Sequence, residues 1–271
     1  MSHVITLETS GHVTTAWLDR PGARNAMGAG LWDELPEVMA NLGEDPGVRA
    51  VIIAGTGSDF TVGLDLKEFG PALMAGFGGG ESVAGSQSTR EQVKRMQATM
   101  TAVARCPKPV IAAVHGYCLG AGVDLITACD IRLASSDAVF SVRETRMGMV
   151  ADVGTLQRLP RILDPGRVAE LAFTGRDFSA EEAFQMGLLS GVYPDREGLL
   201  KAATTLAEQI AANSPLAVQG SKAVLAATED MSVDEALDYV ALWNAAYLHS
   251  NDLKEAVTAF LEKRPPEFDG T

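Results

Sequence analysis

The sequence predicts an α/β protein that ends in an all-helical region, and three observations support this fold class. Two apolar runs, VRAVIIA (48–54) and VIAAV (110–114), are typical of strands buried on both faces of a parallel sheet. Segments with helical spacing alternate with such strands over most of the chain. Beyond residue 196 the helical pattern continues almost unbroken. We therefore expect a core over residues 1–196 and a helical C-terminal region over residues 197–271.

The first predicted elements are two strands and a helix. Val4–Glu8 and Val13–Leu18 are apolar or alternate between apolar and polar residues, and Ser10-Gly11 is the turn between them. A helix is predicted over Leu31–Leu42, which ends before the breaker sequence Asp45-Pro46-Gly47. The buried strand at 48–54 then follows.

A capping pattern and a glycine-rich stretch come next. Asp65, with Glu68 three positions later, is typical of a helix start. Residues 70–89 contain many glycines and serines and show little periodicity, so we predict a mobile loop there.

The remaining elements continue the alternation of helices and strands. We predict helices over 90–105, 122–128, 153–161, 167–174 and 180–186, and strands over 110–114, over 130–134 and near Phe140. The C-terminal helices are expected to break at Asn213-Ser214-Pro215 and at Glu229-Asp230.

Composition and charge exclude several classes of protein. The chain of 271 residues is 46% hydrophobic and 21% charged, which indicates a sizeable core rather than disorder. Its net charge of −13 repels a phosphate backbone, so no nucleic-acid partner is expected. No apolar run approaches the ~20 residues that span a bilayer, and no secretory leader is visible. We therefore expect a soluble, cytoplasmic protein without membrane contact.

Metal and nucleotide motifs are incomplete in this sequence. Cys106, Cys118 and Cys129 form neither a CxxC pair nor zinc-finger spacing, so we expect reduced thiols and no metal site. GTGSDF (55–60) resembles the opening of a dinucleotide fingerprint, but Phe60 stands where the third glycine is needed. We expect no separate cofactor.

Three carboxylates stand in apolar or glycine-rich surroundings, where an unpaired charge is costly. Asp124 lies in CLGAGVDLITACD, and Glu144 and Asp152 lie in FSVRETRMGMVADVGTLQRLP. Buried carboxyls whose pKa values are pushed apart suit proton transfer near neutral pH. Each also has a structural interpretation. Asp124 fits an exposed helix face, Glu144 fits a surface ion pair with Arg143 or Arg146, and Asp152 fits a helix cap.

Two glycine-containing turns, FTVGLD (60–65) and CLGAGVD (118–124), present backbone N–H groups. Both stand where a strand gives way to a helix, so free amides and the positive end of the helix dipole converge. A pair of such amides can stabilise a thioester or carboxylate oxygen as it gains charge. Either turn alone is more typical of an ordinary glycine turn, and it is the presence of two matched turns in one chain that favours an amide site. His115, a lone histidine after a buried strand, is interpreted as a hydrogen-bonded core imidazole.

From about Val4 to Phe268 the chain resembles the crotonase (enoyl-CoA hydratase/isomerase) superfamily. The resemblance rests on RPGARNAM (20–27), AGTGSDFTVGLDL (54–66), KPVIAAVHGYCLGAGVDLITACDIRLAS (108–135), TLQRLP (155–160) and FTGRDFSAEEAFQMGLLSGVYP (173–194). It implies a spiral of ββα units, a helical C-terminal trimerisation region, acyl-CoA thioester substrates, and assembly as a homotrimer or a dimer of trimers.

The resemblance also implies functional residues. The family's oxyanion hole falls on the backbone N–H groups of Leu64 and Ala121, the second of which is usually glycine. Family hydratases have glutamates at the positions of Asp124 and Glu144, and a Pro-Gly pair where this chain has Ala151-Asp152. The pattern here is more similar to that of 3,5- to 2,4-dienoyl-CoA isomerases, whose three functional carboxylates fall on Asp124, Glu144 and Asp152.

In such an isomerase a proton leaves C2 of the acyl chain and another is added at C6. The resemblance assigns Glu144 to C2 and Asp152 to C6, or the reverse, and leaves Asp124 to hold the local field and hydrogen bonding. Two alternatives stay open. One is an enoyl-CoA hydratase in which Asp124 and Glu144 activate water, and the other is a non-catalytic acyl-CoA-binding protein.

Coenzyme A is anionic, so an acidic protein needs local cations to bind it. The resemblance points to Arg24 and Ala26, in the loop that the family uses for the nucleotide. Lys67 and Lys263 are further candidates, and Lys263 is expected to reach the ligand of a neighbouring subunit. All three cations are equally typical of solvated surface charges.

Overall fold

The computed structural model describes residues 3–74 and 83–271, and it confirms an α/β fold with helices at the C-terminal end. The strands are β1 (Ile5–Ser10), β2 (Val13–Leu18), β3 (Ala50–Gly55), β4 (Val110–Val114), β5 (Tyr117–Leu119), β6 (Ile131–Ser135), β7 (Val139–Ser141), β8 (Phe178–Ser179) and β9 (Gly191–Tyr193).

The helices carry most of the remaining residues. They are α1 (Ala29–Glu44), α2 (Leu66–Met74), α3 (Val83–Arg105), α4 (Ala121–Ala128), α5 (Thr155–Arg158), α6 (Pro165–Thr174), α7 (Ala180–Gln185), α8 (Arg196–Ala211), α9 (Pro215–Ala227), α10 (Val233–Tyr247) and α11 (Asn251–Glu262). Single 3-10 turns cover Pro21–Ala23, Glu144–Met147 and Leu159–Arg161.

Two sheets form the core of the spiral. The larger has the order β1-β2-β3-β4-β6-β9, and only the β1–β2 pair in it is antiparallel. The smaller has the order β5-β7-β8. Thr61 bridges Cys118 of β5, and Leu64 bridges Met27, so the turn after β3 extends the smaller sheet. Successive turns therefore place one strand in each sheet before a helix, as the expected ββα spiral requires.

Both faces of the larger sheet are covered at its central strands, as the apolar runs predict. All residues of β3 and β4 are buried. Val51 and Ile53 belong to a core cluster shared with α1, α3 and α4, whereas Ile52 and Ile111 face α8 on the other side. Helix α8 buries alanines and a leucine at helical spacing, namely Leu199, Ala203, Ala207 and Ala211. The predicted boundary at residue 196 between the core and the C-terminal region remains a prediction. Helix α8, which begins at this boundary, packs on the sheet of the core.

The predicted mobile loop over residues 70–89 is wrong at both ends. Residues 70–74 complete α2, and residues 83–89 form the first turns of α3. The part of this prediction over residues 75–82 lies outside the described residues. Met96, Met100 and Val103 pack helix α3 into the core that it shares with α1. Its polar first turns are helical because they continue this packed helix.

Helices α10 and α11 expose several large apolar side chains, including Leu242, Phe260 and Leu261. Across residues 3–74 and 83–271, none of the helices combines the length and the apolar content that crossing a bilayer requires.

Candidate active site

The three carboxylates and the two candidate amides surround one cavity of about 310 Å³. Its lining includes Leu64, Ala121, Asp124, Glu144 and Asp152. Most other lining side chains are apolar, among them Leu66, Leu73, Val93, Met96, Met147 and Val150. The cavity therefore suits an apolar chain that places a polar group beside the carboxylates.

The turns that carry Leu64 and Ala121 lie against each other. A Cβ atom at Gly63 would stand 2.6 Å from the carbonyl oxygen of Leu119 and 3.5 Å from the nitrogen of Ala121. The φ angle of Gly63 is +85°, in the region that favours glycine. Among the described residues, neither the Leu64 nor the Ala121 N–H donates a hydrogen bond, so both remain available to a ligand.

Asp124 is buried within the first turns of α4, with 1% of its surface exposed, so the exposed-face interpretation is wrong. Its Oδ1 atom accepts a hydrogen bond of 2.5 Å from the N–H of Thr155, the first residue of α5. Burial raises the pKa of Asp124 to about 6, although the hydrogen bond from the Thr155 N–H opposes the shift. Asp124, and not Asp152, satisfies the start of α5.

Glu144 is half-buried beside the turn that carries Ala121. A Cβ atom at Gly120 would lie 3.4 Å from its Oε1 atom. Its Oε2 atom is buried and has no hydrogen-bond partner among the described residues. Burial, reinforced by the negative charge of Asp124, raises the pKa of Glu144 to about 7.

The surface ion pair considered for Glu144 is not present. Arg143 pairs with Asp177, and a guanidinium nitrogen of Arg146 donates to the carbonyl of Gly175. An uncompensated carboxyl with a pKa near neutrality is suited to accept and return protons.

Asp152 lies at the exposed rim of the same cavity. Its side chain does not cap α5: Gly154 occupies the cap position, and the N–H of Thr155 donates to Asp124 instead, so the capping interpretation is wrong. Partial burial raises the pKa of Asp152. Its backbone carbonyl accepts a hydrogen bond of 2.6 Å from Nε2 of Gln97 on α3, which fixes the segment.

The raised pKa of Glu144 predicts a pH-dependent cost to stability. The folded state holds this proton up to about pH 7, whereas an ordinary glutamate loses it near 4.5, so stability is lost as pH rises between these values. We expect Glu144→Gln to raise the free energy of unfolding by about 2 kcal/mol at pH 8, after allowance for partial exposure, and by under ~1 kcal/mol at pH 5.

Urea unfolding at both pH values measures this difference. Glu37→Gln, at an exposed position of α1, is the matched control, and it should change the free energy of unfolding by no more than about 0.5 kcal/mol. An equal gain from Glu144→Gln at pH 5 and pH 8 would contradict the assignment of the cost to the charged carboxylate.

The candidate cations for coenzyme A differ in their surroundings. Arg24 is half exposed, bonds both oxygens of Asp59 at 2.7 and 3.1 Å, and lies 4.8 Å above the Tyr117 ring. The carbonyl of Ala26 accepts a bond from Arg20. Lys67 and Lys263 are exposed, and neither is among the described residues that line the cavity.

Other predictions about individual residues have clear outcomes. Asp65 does cap α2, because its Oδ1 atom accepts from the N–H groups of Lys67 and Glu68. The three cysteines are free and buried. His115 is buried and its Nε2 atom contacts the carbonyl of Gly57 at 3.1 Å, but its Nδ1 atom has no partner within the described part of the chain.

Sequence reasoning missed the contacts that fix the carboxylate residues from other elements. Gln97 donates to the carbonyl of Asp152, and the N–H of Thr155 donates to Asp124; neither forms a short motif with the residue that it holds. Within residues 3–74 and 83–271, no group of three or more histidine, cysteine or acidic side chains is arranged to hold a metal ion.

The two-sheet spiral and the amide-and-carboxylate cavity define a protein of the crotonase fold. A protein-family model described as enoyl-CoA hydratase/isomerase matches residues 8–271. The crystal structure of an enoyl-CoA hydratase from Bacillus anthracis superposes with a TM-score of 0.90 at 33% identity, covering 99% of this chain and 100% of that one. The chain belongs to the enoyl-CoA hydratase/isomerase family.

Two similar proteins carry the same enzyme name, and a third, less similar one carries a different name. The chain is 44% identical over 265 residues to the peroxisomal Delta(3,5)-Delta(2,4)-dienoyl-CoA isomerase of Arabidopsis thaliana, covering 98% of this chain and 95% of that protein. It is 46% identical over 255 residues to the mitochondrial enzyme of the same name from Homo sapiens, covering 93% of this chain and 77% of that protein. A carnitinyl-CoA dehydratase of Escherichia coli is 38% identical over 277 residues, covering 100% of both proteins.

Proposed function

We propose that this protein is an isomerase that converts 3,5-dienoyl-CoA to 2,4-dienoyl-CoA in fatty-acid β-oxidation. The observation that carries the proposal is the convergence of Asp124, Glu144 and Asp152 with two unoccupied main-chain amides on one apolar cavity. The names of the relatives with 44–46% identity support the same activity.

The two amides are proposed as the oxyanion hole. The N–H groups of Leu64 and Ala121 would donate to the thioester oxygen, which gains negative charge when a proton leaves C2. Because the turns are held against each other, the donors are in place before the charge develops, which is the arrangement that lowers a barrier.

Glu144 is proposed as the base at C2. Its carboxyl lies beside Gly120, directly before Ala121, and C2 is bonded to the carbonyl carbon whose oxygen the amides hold. Its pKa of about 7 leaves it partly ionised at neutral pH and makes it a stronger base than an ordinary glutamate.

Asp152 is proposed to supply the proton at C6. C2 and C6 are roughly 5 Å apart in an extended chain, so two groups at separate positions serve them better than one. Asp152 lies at the cavity rim, and its raised pKa favours the protonated form that a donor needs. Asp124 then acts through its charge and its bond to Thr155 and does not transfer the substrate proton.

The loop around Arg24 and Ala26 is proposed to bind coenzyme A. Arg24 is held by Asp59 and by the Tyr117 ring, and its Nη1 atom has no partner among the described residues. One guanidinium edge therefore remains for a phosphate. Lys67 and Lys263 are proposed as weaker contributors. No cofactor besides the coenzyme A of the substrate is proposed.

Assembly as a trimer, or a dimer of trimers, is proposed through the C-terminal helices. The exposed apolar side chains of α10 and α11 support an interface there. Sedimentation equilibrium measures the mass of the assembly. A cytoplasmic location is the proposal from the sequence, and cell fractionation separates it from the peroxisomal and mitochondrial locations in the relatives' names.

A spectrophotometric assay tests the proposed reaction. The product diene is conjugated with the thioester and the substrate diene is not, so turnover of 3,5-dienoyl-CoA is expected to produce new ultraviolet absorbance at longer wavelength. Hydration of 2-enoyl-CoA is the matched comparison, since solved relatives are named hydratases. A larger kcat/KM for hydration, or no turnover of either compound, would reject the proposal.

A further inference from the structure

A threonine that the proposed mechanism does not use lies between the two amide turns. Thr61 is fully buried. Its Oγ1 atom donates to the carbonyl of Asn25 at 2.6 Å and accepts from the N–H of Gly63 at 3.1 Å. One buried hydroxyl therefore joins the turn that carries the Leu64 amide to the loop over residues 24–27.

The peptide groups on both sides of Gly63 are held by hydrogen bonds. Its N–H has no acceptor other than the threonine hydroxyl among the described residues. Its carbonyl accepts from the N–H of Met27 at 2.8 Å, and the N–H of Asp65 donates to the Met27 carbonyl at 3.1 Å. Because the carbonyl and the N–H of one trans peptide point in opposite directions, the Leu64 N–H faces away from Met27. It is therefore left for a ligand on the other side of the turn.

Thr61 also contacts the turn that carries the second amide. Its carbonyl accepts from the N–H of Leu119 at 3.2 Å. Its methyl group lies against Gly122, where a Cβ atom would stand 2.7 Å from Cγ2. Gly122 directly follows Ala121 in the sequence. Thr61 therefore bonds or packs against both turns of the proposed oxyanion hole.

The loop over residues 24–27 has anchors besides this hydroxyl. Asn25 is buried, and its Oδ1 atom accepts from the N–H of Arg20 at 2.8 Å. Its Nδ2 atom donates to the carbonyls of Thr56 and Asp59 at 2.9 and 2.8 Å. Loss of the threonine hydroxyl would therefore leave the loop in place, whereas the amide turn would lose a bond that nothing else in the described chain replaces.

We propose that Thr61 is a positioning residue for the oxyanion hole: its hydroxyl holds the Gly63 peptide and thereby aims the Leu64 N–H at the thioester oxygen. Donors that are fixed before charge develops need no reorganisation during the reaction, and this is what makes them effective. The same hydroxyl makes the amide part of one hydrogen-bonded unit with the loop proposed to bind coenzyme A. The inference rests on the proposed function for its meaning in turnover, but the grip on a thioester oxygen can be measured without any reaction.

Infrared spectroscopy of a bound, unreactive thioester tests the positioning. Hexanoyl-CoA labelled with ¹³C at the thioester carbonyl has no carbon–carbon double bond in its acyl chain, so neither isomerisation nor hydration consumes it. We expect its carbonyl stretch to fall in frequency on binding to the native protein, because the two amides polarise the oxygen. Thr61→Val keeps the branched shape of the side chain but removes the hydroxyl, so this shift should be markedly smaller. Thr61→Ser keeps the hydroxyl and should restore the native shift.

Steady-state kinetics with 3,5-dienoyl-CoA supplies a second measurement. We expect Thr61→Val to lower kcat by about 10- to 100-fold, less than the loss of a donor, because the Leu64 amide is misdirected but still present. KM should stay within about threefold of the native value, because the coenzyme A loop keeps its other anchors. Thr61→Ser should again be close to native.

Thr99→Val is the matched control for the loss of a buried hydroxyl. Thr99 is as buried as Thr61, and its Oγ1 atom donates to the carbonyl of Trp32 at 2.9 Å. Among the described residues it bonds no part of either amide turn. This variant should keep the native carbonyl shift and a kcat within about twofold of native.

A folded Thr61→Val protein that keeps the native carbonyl shift would overturn the proposal, and so would a native protein that shows no shift. If Thr61→Val does not fold, hydrogen exchange in the native protein decides. The proposal requires a protected Gly63 amide, and a Leu64 amide that exchanges fast until hexanoyl-CoA binds; equal exchange at the two positions overturns it. A native carbonyl shift without turnover of 3,5-dienoyl-CoA would reject the proposed function and leave the positioning role standing.

Discussion

Replacing Glu144 with glutamine is expected to lower kcat for dienoyl-CoA isomerisation by about 10³-fold. A positioned general base contributes roughly 10²–10⁴-fold, and Glu144 is the carboxylate beside the amide turn where C2 would lie. The substitution keeps the size of the side chain and leaves the amides of Leu64 and Ala121 intact. KM should therefore change much less than kcat, and stopped-flow absorbance with 3,5-dienoyl-CoA measures both.

Hydrogen exchange into D₂O separates the roles of the two carboxylates. If Glu144 serves C2 and Asp152 serves C6, Asp152→Asn should block isomerisation but still exchange the C2 proton of the substrate. Glu144→Gln should abolish both exchange and isomerisation. The opposite pattern would assign C2 to Asp152, and a Glu144→Gln enzyme within tenfold of native kcat would remove Glu144 from the chemistry.

The expected stability of the Glu144→Gln variant makes its loss of activity interpretable. Because a buried charged carboxylate opposes folding above pH 7, the inactive variant should be the more stable protein under assay conditions. Loss of function with a gain in stability is the pattern of a residue retained for chemistry.

The parts of the fold that the sequence predicts well are those where one local signal decides the structure. Strands β3 and β4 are apolar on both faces, and that pattern identifies them as central strands of a covered sheet. Asp124 stands among apolar neighbours on α4, and the structure buries it. In both cases the hydrophobic effect acts on contiguous residues, so the pattern is visible in a short window.

The parts that sequence reasoning missed depend on contacts between distant residues. Strands β5, β8 and β9 have two or three residues each, too few to show a period, and they exist because neighbouring strands pair with them. The first turns of α3 contain glycine and serine, whose low helix propensity costs less than the packing of the helix contributes.

The candidate site shows the same division. Proximity to α5 favours Asp152 as its cap, yet the Thr155 N–H bonds to Asp124, which is 31 residues away. Gln97 reaches Asp152 across 55 positions without a motif. Family resemblance located the residues that would face a substrate, whereas the side chains behind them required the three-dimensional structure.

Replacing Gly63 with alanine is expected to disable the amide pair while Glu144 stays in place. The added Cβ would meet the carbonyl oxygen of Leu119 at 2.6 Å, and backbone atoms yield less easily than a flexible side chain. Moving this turn displaces the Leu64 N–H from the Ala121 N–H, so kcat should fall about 10²- to 10³-fold, the typical effect of losing one oxyanion donor. The positive φ angle of Gly63 adds strain of about 1 kcal/mol.

Two other glycines separate strain from the clash. Gly11 also has a positive φ angle, +56°, but an added Cβ there meets nothing within 4 Å, so Gly11→Ala should lose about 1 kcal/mol of stability and no activity. Gly70 lies in α2 with equally open space, and Gly70→Ala should be neutral or slightly stabilising. Thermal unfolding and the isomerase assay on the three variants measure these effects. If Gly63→Ala lost only about 1 kcal/mol of stability and no activity, as expected for Gly11→Ala, backbone strain alone would explain its effect. The contact between the two turns would then not be what positions the amides.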